Sequence, residues 1–311
     1  MSSDGHHPPF SFAELDREPT HRAAVAVAAA ADEDVLQAVY TARERGLIEP
    51  ILVGERNAIE RVAAAGEIDL SGMTIESVGG EAASAAQRAV ELVAAGEAST
   101  LMKGMVDTGV LMREVLKREY GLRGEGVLSH VAIFQIAGYG RPLALTDAAV
   151  NIAPDLETKR AIITNAVSVL HRLGYAMPLV AIIAASERVA PAMPATVEAQ
   201  ELVSAWQRGE LPGCIVAGPL ALDNAVSPEA ARIKGIESPV AGHADVLMVP
   251  TIESGNVLYK ALAFLTSARH AGLIVGARVP IVLTSRADSP RSKVDSLALA
   301  AYAAGGHQKR A

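Results

Sequence analysis

The feature that most constrains this chain is a repeated alternation. Apolar runs of strand length are each followed by an amphipathic stretch of helix length. The apolar runs predict strands over residues 22–29, 50–53, 73–78, 98–102, 127–136, 142–146, 179–184, 213–217, 245–249, 272–275 and 280–284. Between them the spacing predicts helices over 32–45, then through 65, 81–95, 107–119, 155–173, 195–208, 227–234, 256–268 and 290–304. Several strands are apolar on both faces, as a sheet covered by helices on each side requires. The pattern therefore predicts an α/β fold with mainly parallel, doubly wound sheets. Its 311 residues suit two domains or one large α/β unit. Hydrophobic residues make up 50% of the chain but aromatics only 4%, so Ala, Val, Leu and Ile must fill the core.

The charge balance excludes some partners. Against 35 Asp and Glu stand 28 Lys and Arg, a net of −7, and no stretch concentrates enough cations to offset it. Nucleic acid is excluded as an expected partner, although a few arginines can still form a local anion site. The only cysteine, Cys214, rules out an intrachain disulfide framework and fits a buried structural thiol. The polar start of the chain does not read as a signal peptide, and the run 23–31 stops at Asp32 far short of a bilayer span. These observations predict a soluble, cytoplasmic protein with no membrane partner.

No P-loop, G-x-G-x-x-G, H-E-x-x-H or G-x-S-x-G pattern is present. What remains is positional, because open α/β sheets bind ligands beyond the carboxyl ends of their strands. Small and polar residues recur at those ends: Lys103-Gly104, Thr146-Asp147, Ser186-Glu187-Arg188, Gly218-Pro219 and Ser285-Arg286. A cation beside unpaired helix N-terminal amides makes a good phosphate site, and Lys103 and Arg286 both stand just ahead of a helix. Arg286 suits a bidentate grip on phosphate, and Ser285 suits donation to a developing anion. Asp288, Ser289, Ser292 and Asp295 follow, where a carboxylate serves equally well as a base or as a helix cap. His130 and His171 show no metal-ligand spacing and read as structural. Tyr259 and Lys260 read as packing and solvated surface.

Six segments carry a resemblance. They are Met102-Lys103-Gly104, Ser129-His130-Val131-Ala132, Thr146 through Pro154, Gly218 through Ala225, Gly255-Asn256-Val257-Leu258-Tyr259-Lys260 and Thr284 through Ser289. In this order they resemble the phosphate acetyl/butyryltransferase family, most nearly its butyryl branch, over nearly the whole chain after Arg22. The resemblance implies reversible transfer of a short acyl group, acetyl or butyryl, between coenzyme A and inorganic phosphate. It also implies a two-domain fold like the isocitrate/isopropylmalate dehydrogenases, with a cleft between the domains. Residues 1–145 plus 278–311 would form one domain. Residues 146–277 would form the second and supply a homodimer interface. No metal or redox cofactor is implied, since coenzyme A is a substrate.

By resemblance, Ser285 hydrogen-bonds the thiol sulfur or the developing anion, and Arg286 binds phosphate and polarises the carbonyl. Arg113 is a second phosphate contact, and Lys103, Asp147, Asn151, Asn256, Tyr259 and Lys260 are the remaining expected substrate-binding residues. One departure bears on the base. Acetyltransferase relatives carry an aspartate seven positions after the motif serine, where this chain has Ser292, so Asp288 is preferred and Asp295 is the alternative. Two other functions stay open: an NAD- and metal-dependent hydroxyacid dehydrogenase of similar fold, and a catalytically silent coenzyme A-binding protein. The first would need metal ligands from Asp147, Asp223 and Asp245.

Overall fold

The computed structural model describes residues 9–19, 21–124, 126–285 and 287–305. From the amino end the chain runs β1 (Ala23–Ala28), α1 (Glu33–Glu44), β2 (Ile48–Gly54), α2 (Arg56–Ala65), β3 (Thr74–Ser77), α3 (Ala82–Ala94), β4 (Thr100–Lys103) and α4 (Thr108–Val115). It continues through β5 (Ser129–Gln135), β6 (Leu143–Thr146), α5 (Leu156–Arg172), β7 (Leu179–Ile183), α6 (Pro194–Gln207), β8 (Ile215–Leu220), α7 (Leu222–Val226), α8 (Pro228–Ile233), β9 (Val246–Met248) and α9 (Ile252–Leu265). It ends with β10 (Arg269–Val275), β11 (Ile281–Val282) and α10 (Pro290–Gly305).

Two compact units emerge. The outer unit comprises Ala13–Gly126 and Ala271–Ala311, and the inner unit Met1–Phe12 and Val127–His270. The outer strands lie in the order β3-β2-β1-β4-β11-β10, with every pair parallel except β10 and β11. The inner strands lie in the order β5-β6-β9-β7-β8, with only β5 and β6 antiparallel. The division thus falls at 126/127 and 270/271 rather than at 145/146 and 277/278. Within the inner unit β5 ladders onto β6, and within the outer unit β10 ladders onto β11.

Local chemistry fixes the ends of the helices. Asp32, Asp107 and Asp155 cap α1, α4 and α5 by accepting the amides of Val35, of Gly109 and Val110, and of Thr158. Two expected helices come out differently. Residues 107–119 give α4 and then a separate 3-10 turn, Arg118–Tyr120, because Lys117 is extended. The expected helix over 227–234 is present as α8, and a further short helix, α7, precedes it from Leu222. Pro228 opens α8, and Ser227 Oγ caps it through the Ala230 amide. Finally, α9 begins at Ile252 rather than at 256, because Thr251 and Ser254 form a capping box.

Aliphatic side chains fill both cores, as the low aromatic content requires. Two of the four phenylalanines, Phe10 and Phe12, are buried in the inner unit although they belong to no helix or strand. The Arg269 guanidinium covers the Phe12 ring, and the Phe12 amide donates to Gln135 Oε1. In the outer unit, buried Lys293 of α10 donates to Asp34 of α1 at 2.7 Å.

Candidate active site

In the outer unit β4 and β11 are parallel neighbours, with Leu101 opposite Ile281 and Met102 opposite Val282. Both therefore deliver their following residues to the same carboxyl edge, about 4.8 Å apart between strand axes. Beyond β4, half-buried Lys103 donates its Nζ to the carbonyls of Gly104 and Val106, each at 3.1 Å. The Gly104 amide donates to Ala28 O and the Met105 amide to Ala29 O, both at 2.8 Å. A Cβ on Gly104 would stand 2.4 Å from Ala29 O, so only glycine lets this loop lie on the end of β1. Arg113, on α4, is exposed, and its Nη1 lies 3.5 Å from where a Cβ on Gly109 would stand. The guanidinium thus folds back toward the first turn of α4, beside the same edge.

Beyond β11 the chain turns tightly. The Asp288 amide donates to Ser285 O at 3.1 Å, and the Ala287 amide to Ser285 Oγ at 3.3 Å. The Ser285 amide in turn donates to Asp288 Oδ2 at 2.7 Å. Asp288 is only 9% exposed, and its buried Oδ1 meets no donor among the described residues. Helix capping falls instead to Ser289, whose Oγ accepts the Ser292 amide. Asp295 is fully buried on α10, its Oδ2 3.9 Å from Arg291 Nε. Arg286 lies outside the described residues.

The inner unit gathers a second set at the end of β6. Asp147 is 2% exposed, and its carboxylate accepts the amides of Ala149, Val150 and Asn151 together with Asn151 Nδ2 at 2.6 Å. Asn151 Nδ2 also reaches Leu128 O, and Asn256 Nδ2 donates to Ala148 O at 3.1 Å. Asp147, Asn151 and Asn256 therefore meet, with Asp147 holding the loop. A Cβ on Gly255 would lie 2.4 Å from Asp147 O, which is why α9 can rest its first turn there. Tyr259 packs edge-on against His130, Phe134 and His270, and the Lys260 ammonium lies over the rings of Tyr259 and Phe264. Of the residues expected to bind substrate, these two have the most evident packing role.

Other candidates resolve into structural roles. Glu187 pairs with Lys234 at 3.5 Å and meets Asn224 Nδ2; its own backbone amide first, and Lys234 further, hold its carboxyl below the usual range. His171 Nε2 bonds Gly213 O at 2.7 Å. Cys214 is buried, and burial pushes its thiol up to about 11. The proposed metal aspartates are kept apart by register. Asp245 precedes β9 and pairs with Arg141, whereas Asp147 follows β6, roughly 13 Å farther along the parallel strands. Burial first raises the Asp245 carboxyl above its ordinary value. Two residues that sequence reasoning passed over stand in the outer loop, Met105 and Asp107. Their only signal is adjacency to Met102-Lys103-Gly104.

Comparison with known proteins finds relatives over most of the chain. The family described as phosphate acetyl/butaryl transferase matches residues 69–301. The chain is 49% identical over 279 residues to a phosphate acetyltransferase of Rhizobium meliloti, covering 89% of this chain and 88% of that one. It is 46% identical over 290 residues to a phosphate butyryltransferase of Clostridium beijerinckii, covering 93% and 95%. A branched-chain phosphotransacylase from Enterococcus faecalis V583 superposes with a TM-score of 0.82 at 36% identity, over 92% of this chain and all of that one. A 4-hydroxythreonine-4-phosphate dehydrogenase from Burkholderia phymatum, at 14% identity and a TM-score of 0.56 over 91% and 99%, shares the fold alone.

Proposed function

The chain belongs to the phosphate acetyl/butaryl transferase family, and on that footing we propose how its strand-end residues divide the chemistry. It is a phosphate acyltransferase: an acyl-CoA thioester and inorganic phosphate exchange reversibly with an acyl phosphate and free coenzyme A, the acyl group being short. In the forward direction a phosphate oxygen attacks the thioester carbonyl, and the departing sulfur ends as a thiol after taking the proton that phosphate loses. Arg286 grips the phosphate and polarises the carbonyl, Arg113 adds a second cation, and Ser285 donates to the sulfur or the oxyanion. Asp288 carries the proton between phosphate and sulfur, because its Oδ1 meets no donor among the described residues while its Oδ2 holds the serine's own backbone. Asp147, Asn151 and Asn256 shape the inner unit's contribution to substrate binding. No electrons change hands, so the reaction calls for no redox cofactor, and the cations named make a metal unnecessary. The enzyme works as a cytoplasmic homodimer without membrane or nucleic-acid partners; among the described residues no helix is long and apolar enough to cross a bilayer.

The observation that carries these assignments is the shared Met102/Val282 rung, which brings the loops of Lys103 and Ser285 to one edge. The test follows thiol release from butyryl-CoA and from acetyl-CoA with a thiol reagent, with and without phosphate. Release that depends on phosphate and saturates with it is expected; release indifferent to phosphate contradicts the assignments. Hydroxyacids with NAD(P) and Mg²⁺ should give no nicotinamide absorbance change.

A further inference from the structure

The variable part of an acyl-CoA substrate is its apolar tail, so an enzyme of this kind needs an apolar wall close to its reacting groups. We propose that the Met105 side chain is that wall and sets the preference between acetyl and butyryl. The inference rests on the acyltransferase reading above and adds a specificity-determining residue to it.

Three observations converge on Met105. Its position is the first: Met105 and Ser285 each stand three residues beyond the paired Met102 and Val282, on neighbouring parallel strands. The second is a fixed backbone beneath a free side chain. The Met105 amide is tied to Ala29 O, Gly104 is pressed onto the end of β1, and the Lys103 ammonium staples the carbonyls of Gly104 and Val106. Exposure is the third. Met105 is 48% exposed, and the only other large exposed hydrophobic side chain among the outer unit's described residues is Leu116, at the far end of α4. An apolar side chain held half in water at the edge that carries the chemistry gains most when an acyl tail covers it. Methionine is also flexible and polarisable, which suits tails that differ in length.

The test compares kcat/KM for butyryl-CoA and acetyl-CoA, with phosphate as co-substrate, in wild type, Met105→Ala, Met105→Gln and Met105→Leu. The ratio of two substrates on one protein cancels any loss of folded enzyme. Butyryl carries two more methylenes than acetyl, each worth about four-fold when buried. Met105→Ala and Met105→Gln should therefore lower the butyryl-to-acetyl ratio by about 4- to 15-fold, with Met105→Leu within about two-fold of wild type and Leu116→Ala unchanged. An unaltered ratio in both Met105→Ala and Met105→Gln overturns the proposal. So does a shift found only in Ile152→Ala, the exposed apolar residue that follows β6 in the inner unit. A wild-type protein that releases no thiol in response to phosphate would remove the acyltransferase reading itself, a failure visible before any variant is compared.

Discussion

Replacing Asp288 with asparagine separates two roles that its position combines. One oxygen closes the turn by accepting the Ser285 amide at 2.7 Å, and the other is buried without a donor among the described residues. Asparagine keeps the shape and can still accept that amide through its carbonyl, so the turn should survive. The stability cost is the difference between a charged and a neutral acceptor, about 1 kcal/mol. In a chain of this length that shifts the melting midpoint by only about 1–2 °C. The chemical cost is far larger if the carboxylate moves the proton, since general acid–base assistance contributes about 10²- to 10⁴-fold. Thermal unfolding should therefore barely change while kcat for phosphate-dependent thiol release falls at least ~10²-fold and the pH–rate profile flattens. An Asp288→Asn enzyme that keeps both its turnover and its pH profile would reduce the residue to a turn former.

Two further outcomes follow from the geometry. Gly104→Ala places a Cβ 2.4 Å from Ala29 O and 2.6 Å from Ala28 O, which should break the bonds that seat the loop. Roughly 2–5 kcal/mol of stability by urea titration and about 10²-fold in kcat/KM should go with it, because ångström displacements near reacting groups are that costly. Burial raises the Cys214 thiol to about 11, above its unfolded value, so the folded state holds its proton longer. Its contribution is complete below about pH 8.5 and should be lost as pH rises through 11, a decline of roughly 1–3 kcal/mol that Cys214→Ala should remove. Alkylation by iodoacetamide at pH 7.5 should accordingly be far slower than for an exposed cysteine.

Hydrophobic pattern located nearly every strand and helix, because each βα unit repeats the same switch from a short apolar run to an amphipathic stretch of period 3.6. It failed where the period was too short or a local signal overrode it. The short helix α7 before Ser227-Pro228 carries too little period to be seen, and the Thr251–Ser254 capping box starts α9 before its apolar stripe is evident. The unit boundary was illegible, since β5 and β6 are consecutive antiparallel strands and nothing in their composition marks which unit they join. Site residues were legible as strand-end polar residues, but their work was not. Asp147 reads as a ligand-binding carboxylate, yet its oxygens are engaged by the amides and side chain of its own loop. Phe10 and Phe12 sit in a stretch with no period, so their burial depends on partners more than a hundred residues away.

The most direct measurement is the turnover of Ser285→Ala in phosphate-dependent release of coenzyme A from butyryl-CoA. Within the described structure the Ser285 hydroxyl only accepts the Ala287 amide at 3.3 Å, so its removal should leave the melting midpoint near that of wild type. If that hydroxyl serves the departing sulfur or the oxyanion, kcat should fall about 10²- to 10³-fold. A folded Ser285→Ala enzyme turning over at the wild-type rate would contradict the placement of acyl transfer at the paired ends of β4 and β11.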